Sequence, residues 1–130
     1  MTEHLNPTDW SAALGFDQGQ LRPAPTQLLT LAGQGSTDGD GRLLHAEDPA
    51  AQIALSLSNV EELLDAAGMR LDDVLRLTVY ATDVDAVLAH FDVLTDRLAA
   101  AGATPPMTLL GVTRLALPDM VVELEATAAR

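Results

Sequence analysis

The sequence predicts an α+β fold, a mixed sheet with two helices packed on one of its faces. Three observations predict it. Two stretches, Ile53 to Ala67 and Val84 to Leu98, carry apolar residues at helical spacing. Two others, Val74 to Ala81 and Val121 to Ala128, alternate at strand spacing. The elements follow one another as strand, helix, strand, helix, strand, strand, with no repeat or linker between them. A chain of 130 residues reads as a single domain over residues 1–130, with a core burying roughly two-thirds of its unfolded surface.

Residues 1–14 read as an irregular arm, and Pro7, Pro23 and Pro25 punctuate the first stretch. Trp10, the only tryptophan, is expected to pin this arm to the body. A short strand start is placed at Gly15–Gly19 and a strand at Gln27–Ala32. The glycine run Gly33–Gly41 follows a strand, as a phosphate loop would, but it has no GxGxxG and no closing Gly-Lys-Ser/Thr. Asp38 and Asp40 lack the distal glutamate of a calcium-binding EF-hand loop. The run therefore reads as a turn in which Asp-Gly pairs supply positive φ.

Asp48 is a good N-cap and Pro49 suits the first helical position. Ile53, Leu57, Val60, Leu64 and Ala67 form the helix's apolar stripe, and Gly68 stands where a terminating glycine belongs. Glu61, Glu62 and Asp65 lie off the stripe and read as a solvated face. In the next strand Leu75, Leu77, Val79 and Ala81 are expected on one face, Val74, Arg76, Thr78 and Tyr80 on the other. Asp83 then caps a second helix whose buried stripe is Val84, Val87, Leu88, Phe91, Leu94 and Leu98.

Pro105-Pro106 keeps a helix from running into the closing stretch. There Leu109, Gly111, Thr113 and Leu115 alternate with Thr108, Leu110, Val112 and Arg114, and Val122, Leu124 and Ala126 with Val121, Glu123 and Glu125. The helix stripes match the Leu75/Leu77/Val79 and Val122/Leu124 faces. The opposite face, with Val74, Tyr80, Val121 and Leu110, is too apolar for free exposure, which predicts a homo-oligomer.

Charge narrows the function. The net charge is -12, and all seven basic residues are arginine. Without lysine there is no Schiff-base catalysis, and an acidic surface repels nucleic acid. Cysteine is absent, which rules out disulfides and thiol chemistry. No apolar run reaches the ~18 residues of a membrane span, and residues 1–10 do not resemble a secretory signal. The chain is read as cytoplasmic, with no membrane partner. His4, His45 and His90 show neither metal-ligand spacing nor a nucleophile partner, so no metal site and no triad are expected.

Several stretches in order carry a family resemblance: Ala32-Gly33-Gln34, Gln52 through Asn59-Val60, Ala66-Ala67-Gly68, Asp73-Val74, Thr78-Val79-Tyr80 and Val121 to Ala128. From about residue 15 onward the chain resembles the Rid family of reactive intermediate deaminases, formerly YjgF and also known as L-PSP endoribonuclease. The resemblance implies a chorismate-mutase-like sandwich with a six-stranded mixed sheet and a homotrimer with ligand clefts between subunits. In the best-known branch it implies cofactor-free hydrolysis of enamines and imines to ketones and ammonia.

Carried over one residue at a time, most of that branch's pocket is replaced. The arginine that holds the substrate carboxylate falls on Met107, the cysteine after it on Leu109 and the tyrosine near the first strand on Phe16. The serine of Ser-Gly-Gln falls on Ala32, beside Gly33, and the asparagine of the second helix on Phe91. The closing-strand glutamate is kept as Glu123.

An arginine clamps a carboxylate through two charged hydrogen bonds of about 1.5–3 kcal/mol each. Losing both weakens binding roughly 10²–10⁴-fold. Arg22 is a candidate replacement clamp. Glu123 is the candidate catalytic residue, exchanging protons with water or an imine nitrogen. Its structural alternative is an ion pair with Arg76 or Arg114. The expected function is Rid-type hydrolysis of a small imine or enamine other than the usual 2-imino acids. The alternative is a non-catalytic trimer that binds a small molecule or a partner in its clefts. The endoribonuclease reading conflicts with the acidic charge.

Overall fold

The computed structural model describes residues 1–130. Six strands and three helices run in the order β1 (Glu3–Leu5), β2 (Gly19–Leu21), β3 (Leu28–Thr30), α1 (Pro49–Ala66), β4 (Val74–Ala81), α2 (Val84–Leu88), α3 (Asp92–Ala100), β5 (Met107–Gly111) and β6 (Val122–Ala129). The α+β class is as expected, but the six strands do not share one sheet. Four form a mixed sheet in the order β3-β6-β4-β5, parallel at β4–β5 and antiparallel elsewhere. β1 and β2 pair only with each other, antiparallel.

Residues 1–14 are thus not irregular throughout. Glu3–Leu5 becomes a strand because Asp17, just before β2, gathers its neighbours. The Asp17 carboxylate accepts from His4 Nδ1 (2.5 Å), Asn6 Nδ2 (2.7 Å), Gln20 Nε2 (2.9 Å) and Thr104 Oγ1 (2.6 Å). Burial alone would push this carboxyl up; the hydrogen bonds from His4, Thr104, Gln20 and Asn6 outweigh it and hold it well below its ordinary 3.8. Trp10 meets Phe16 edge-to-face, with centroids 5.7 Å apart.

Asp48 caps α1 through its side chain, accepting from the Ala51 N–H at 3.0 Å. The α1 stripe of Ile53, Leu57, Val60 and Leu64 is buried against β6. Arg97 of α3 donates to the Ala54 carbonyl at 2.9 Å and pairs with Glu61, locking α3 to α1. The expected single second helix is broken. His90 and Phe91 donate to Val87 and Leu88, three residues back instead of four, and this tightening re-aims the chain between α2 and α3. Leu88, expected in the stripe, is 51% exposed as a result.

Val74 also departs from expectation. A register shift between Val74 and Arg76 puts an extra residue into β4. Val74 therefore joins Leu77, Val79 and Ala81 in the core, and Leu75 turns away to line a surface cleft with Arg22 and Pro23. The turn expected within Gly33–Gly41 forms. Asp38 Oδ1 accepts from the Asp40 and Arg42 N–H groups, both at 2.9 Å, and Gly41 has φ +76°. No helix is long and apolar enough to cross a membrane.

Two buried polar residues of α1 contrast sharply. Gln52 is fully buried and fully used: Nε2 donates to the carbonyls of His45 and Asp119, both at 3.0 Å, and Oε1 accepts from the Val121 N–H at 2.9 Å. Ser56 is equally buried, yet its hydroxyl has no partner. An orphaned buried hydroxyl is costly, so Ser56→Ala is expected to leave stability unchanged or raise it by about 1 kcal/mol, read from urea midpoints. A loss above about 1 kcal/mol would mean the hydroxyl is satisfied in solution.

Candidate functional site

β6 is the sheet's second strand, bonded to β3 on one side and β4 on the other. Val122, Leu124 and Ala126 alternate into the core, which turns Glu123 and Glu125 to the face that no helix covers. Cross-strand register sets their neighbours. Glu123 lies opposite Tyr80, which lies opposite Leu110; Glu125 lies opposite Thr78, which lies opposite Thr108. Tyr80 OH reaches diagonally to Glu125 and donates to Oε1 at 2.8 Å. That hydrogen bond, then burial, then the charges of Glu125 and Glu123 raise the Tyr80 pKa, opposed by Arg76. The phenol stays protonated as a donor.

Gly33 fixes the other side of Glu123. Gln34 and Leu124 exchange backbone hydrogen bonds of 2.7 and 2.9 Å, which brings the chain after β3 against β6. A β-carbon on Gly33 would lie 2.0 Å from Glu123 Oε1 and 2.7 Å from its Cδ. Only glycine leaves that carboxylate in place; because the clash is with the end of a flexible side chain, alanine would displace the carboxylate before it disturbed the fold.

The half-buried Glu123 takes part in none of the chain's three ion pairs, His4–Asp17, Arg70–Asp72 and Arg97–Glu61. The expected pairing with Arg76 or Arg114 does not form. Arg76 Nη2 donates to Thr108 Oγ1 at 3.0 Å, and Arg114 Nε donates to the Leu115 carbonyl at 3.4 Å.

The sequence-predicted pocket residues do not all meet within one chain. Glu123 and Gly33 are in contact. Met107 and Leu109 stand in register with the buried Leu77 and Val79, so they pack against the core on the helix-covered side. Phe91, in the turn between α2 and α3, packs against the same core. Phe16 sits with Trp10, and Ala32 is exposed.

Within one chain Arg22 stands apart from Glu123. It donates to Gln20 Oε1 at 2.8 Å and to the carbonyls of Asp72 (3.1 Å) and Val74 (3.2 Å). Val74 lies roughly 20 Å along β4 from the level of Tyr80 and Glu123. Sequence reasoning gave Tyr80, Glu125 and Leu110 no place in the site. Strand alternation carried the signal for all three, since it sets them on one face.

Comparison with known proteins agrees with this architecture. The family model described as endoribonuclease L-PSP matches residues 11–130. A 2-iminobutanoate/2-iminopropanoate deaminase of Salmonella typhimurium is 33% identical over 88 residues, which span 65% of this chain and 66% of that protein, just under two thirds of its length. YyfB of Yersinia pestis, a Rid-family protein of unknown function, superposes with a TM-score of 0.88 at 28% identity over 99% of this chain and 98% of that one. E. coli TdcF with bound serine gives 0.73 at 28% identity over 88% and 87%. With the family model spanning almost the whole domain, the chain belongs to the Rid/YjgF family, also called endoribonuclease L-PSP.

Proposed function

We propose that this protein hydrolyses a small imine or enamine, with Glu123 carrying the proton. The observation that supports it is the Glu123 carboxylate itself: half-buried, outside any ion pair, and seated where Gly33 leaves no β-carbon. In an imine, water adds at carbon while the C=N pair moves to nitrogen. Glu123 takes one proton from the water and gives it to nitrogen; as the C–N bond then breaks, the hydroxyl proton passes to the departing nitrogen, so that ammonia leaves and a carbonyl remains. An enamine enters the same path after protonation at carbon. The 2-imino-acid activity named for the Salmonella relative is not carried over, because Met107 offers an apolar surface and no charged donor for a carboxylate.

The reading includes a homotrimer with the site in clefts between subunits. Its support is the division of the candidate residues. Glu123 lies on the open face while Met107, Leu109 and Phe91 lie on the helix side of edge strand β5. A neighbour packed at that edge would bring the two sets together. Light scattering should give the mass of three chains.

The catalytic part is tested with imines generated in situ by oxidases, following ammonia and carbonyl release. Glu123→Gln should lower kcat at least about 10²-fold without lowering the melting temperature. Undiminished turnover in that variant would remove Glu123 from the mechanism. Saturable ligand binding with no turnover of any imine would leave a binding protein in place of an enzyme.

A further inference from the structure

The face around Glu123 has a charge pattern that chooses among imines. Resting on the hydrolase reading above, we infer that the site takes a cationic, carboxylate-free iminium, and that Glu125 sets this preference. Glu123 and Glu125 stand two residues apart on one side of β6, about 7 Å from each other along the strand. Neither is in an ion pair.

Tyr80 OH occupies Oε1 of Glu125 and fixes its orientation without cancelling its charge. Two cations lie near this face: Arg76 leans toward β5, where it bonds Thr108 Oγ1, and Arg114, which lines a cleft with Thr82 and Val121 past the Glu123 end of the strands, donates to the Leu115 carbonyl. Along the row from Glu123, the next side chains are Tyr80 and Leu110, neither of them a positive partner for an anion. A ligand carboxylate here would face two negative charges; a protonated imine nitrogen would face two complementary ones.

The chemistry balances with water alone. Water forms a C–O bond to the iminium carbon, the C=N pair moves to nitrogen, and the water's proton passes to Glu123. Glu123 returns it to nitrogen, the C–N bond breaks, and the hydroxyl proton goes to the departing ammonia. The sum is R₂C=NH₂⁺ + H₂O → R₂C=O + NH₄⁺, with no oxidant or reductant.

The experiment compares substrates that differ by one carboxylate. A flavin amine oxidase supplies propan-1-imine from propylamine, and an amino-acid oxidase supplies 2-iminobutanoate from 2-aminobutanoate. The expected kcat/KM preference is about tenfold or more for propan-1-imine, and Glu125→Gln should bring it toward parity. Equal or better turnover of 2-iminobutanoate, or a preference untouched by Glu125→Gln, would overturn the inference. A binding arm separates it from the hydrolase reading. NMR titration with propylammonium and butanoate should perturb β6 with the cation only. That result with no imine turnover ends the hydrolase reading and keeps the charge preference, whereas butanoate binding as well as propylammonium, or neither binding, ends the charge preference.

Discussion

Replacing Gln52 with alanine is expected to destabilise the protein by about 3–5 kcal/mol. One amide does three jobs: it ties the loop before α1 through the His45 carbonyl, the loop before β6 through Asp119, and the first turn into β6 through the Val121 N–H. Deleting it leaves these backbone groups without partners and opens a cavity in a site with no exposure. The melting temperature should fall roughly 10–20 °C. Gln52→Leu keeps most of the volume and isolates the polar part; it should still lose more than about 2 kcal/mol. A loss below about 1 kcal/mol for both variants would show that water replaces the amide. Val121 sits two residues before Glu123, so the alanine variant should also lose activity through misplacement of the carboxylate.

Asp17→Ala should cost about 3 kcal/mol, because four donors converge on one carboxylate with 7% exposure. The effect carries a sign in pH. The folded-state pKa lies below the unfolded value of 3.8, so the Asp17 contribution is complete above that value and is lost as pH falls toward the depressed folded value. Urea titrations from pH 7 to pH 2 should show wild type and variant converging below about pH 4. A gap that stays constant down to pH 2 would assign the loss to packing instead of the charged hydrogen bonds.

These two hubs show which parts of the molecule the sequence made legible. β4 and α1 were readable because their apolar residues recur at one period for eight and eighteen residues. Local irregularities were not. The bulge that turns Val74 inward leaves no mark on the alternation of VLRLTVYA, and the two tightened hydrogen bonds at His90 and Phe91 interrupt a stripe that reads as continuous. Glu3–Leu5 is a strand because of Asp17, a partner 12 residues beyond its end, and periodicity carries no such information.

The site divides in the same way. The family resemblance identified Glu123 and Gly33, and their contact is real. It also grouped Met107 and Leu109 with them; within one chain, register puts these two on the opposite side of the sheet. Register is a property of paired strands, and a single strand's sequence does not state it.

The place of β6 has a further consequence, for how the chain reaches this state. β3 and β4 never touch in the sheet; both bond to β6, which joins Leu28 to Ala129 and Ala81 to Val122. As the polypeptide emerges during synthesis, β3, α1, β4 and the later helices are all made before the strand they converge on. Until β6 arrives, the apolar face of α1 has no lasting cover, and only the β4–β5 pair can form within the sheet. Closure of the core is therefore a late, long-range event, of the kind that folds slowly and leaves strand edges open to misassociation meanwhile.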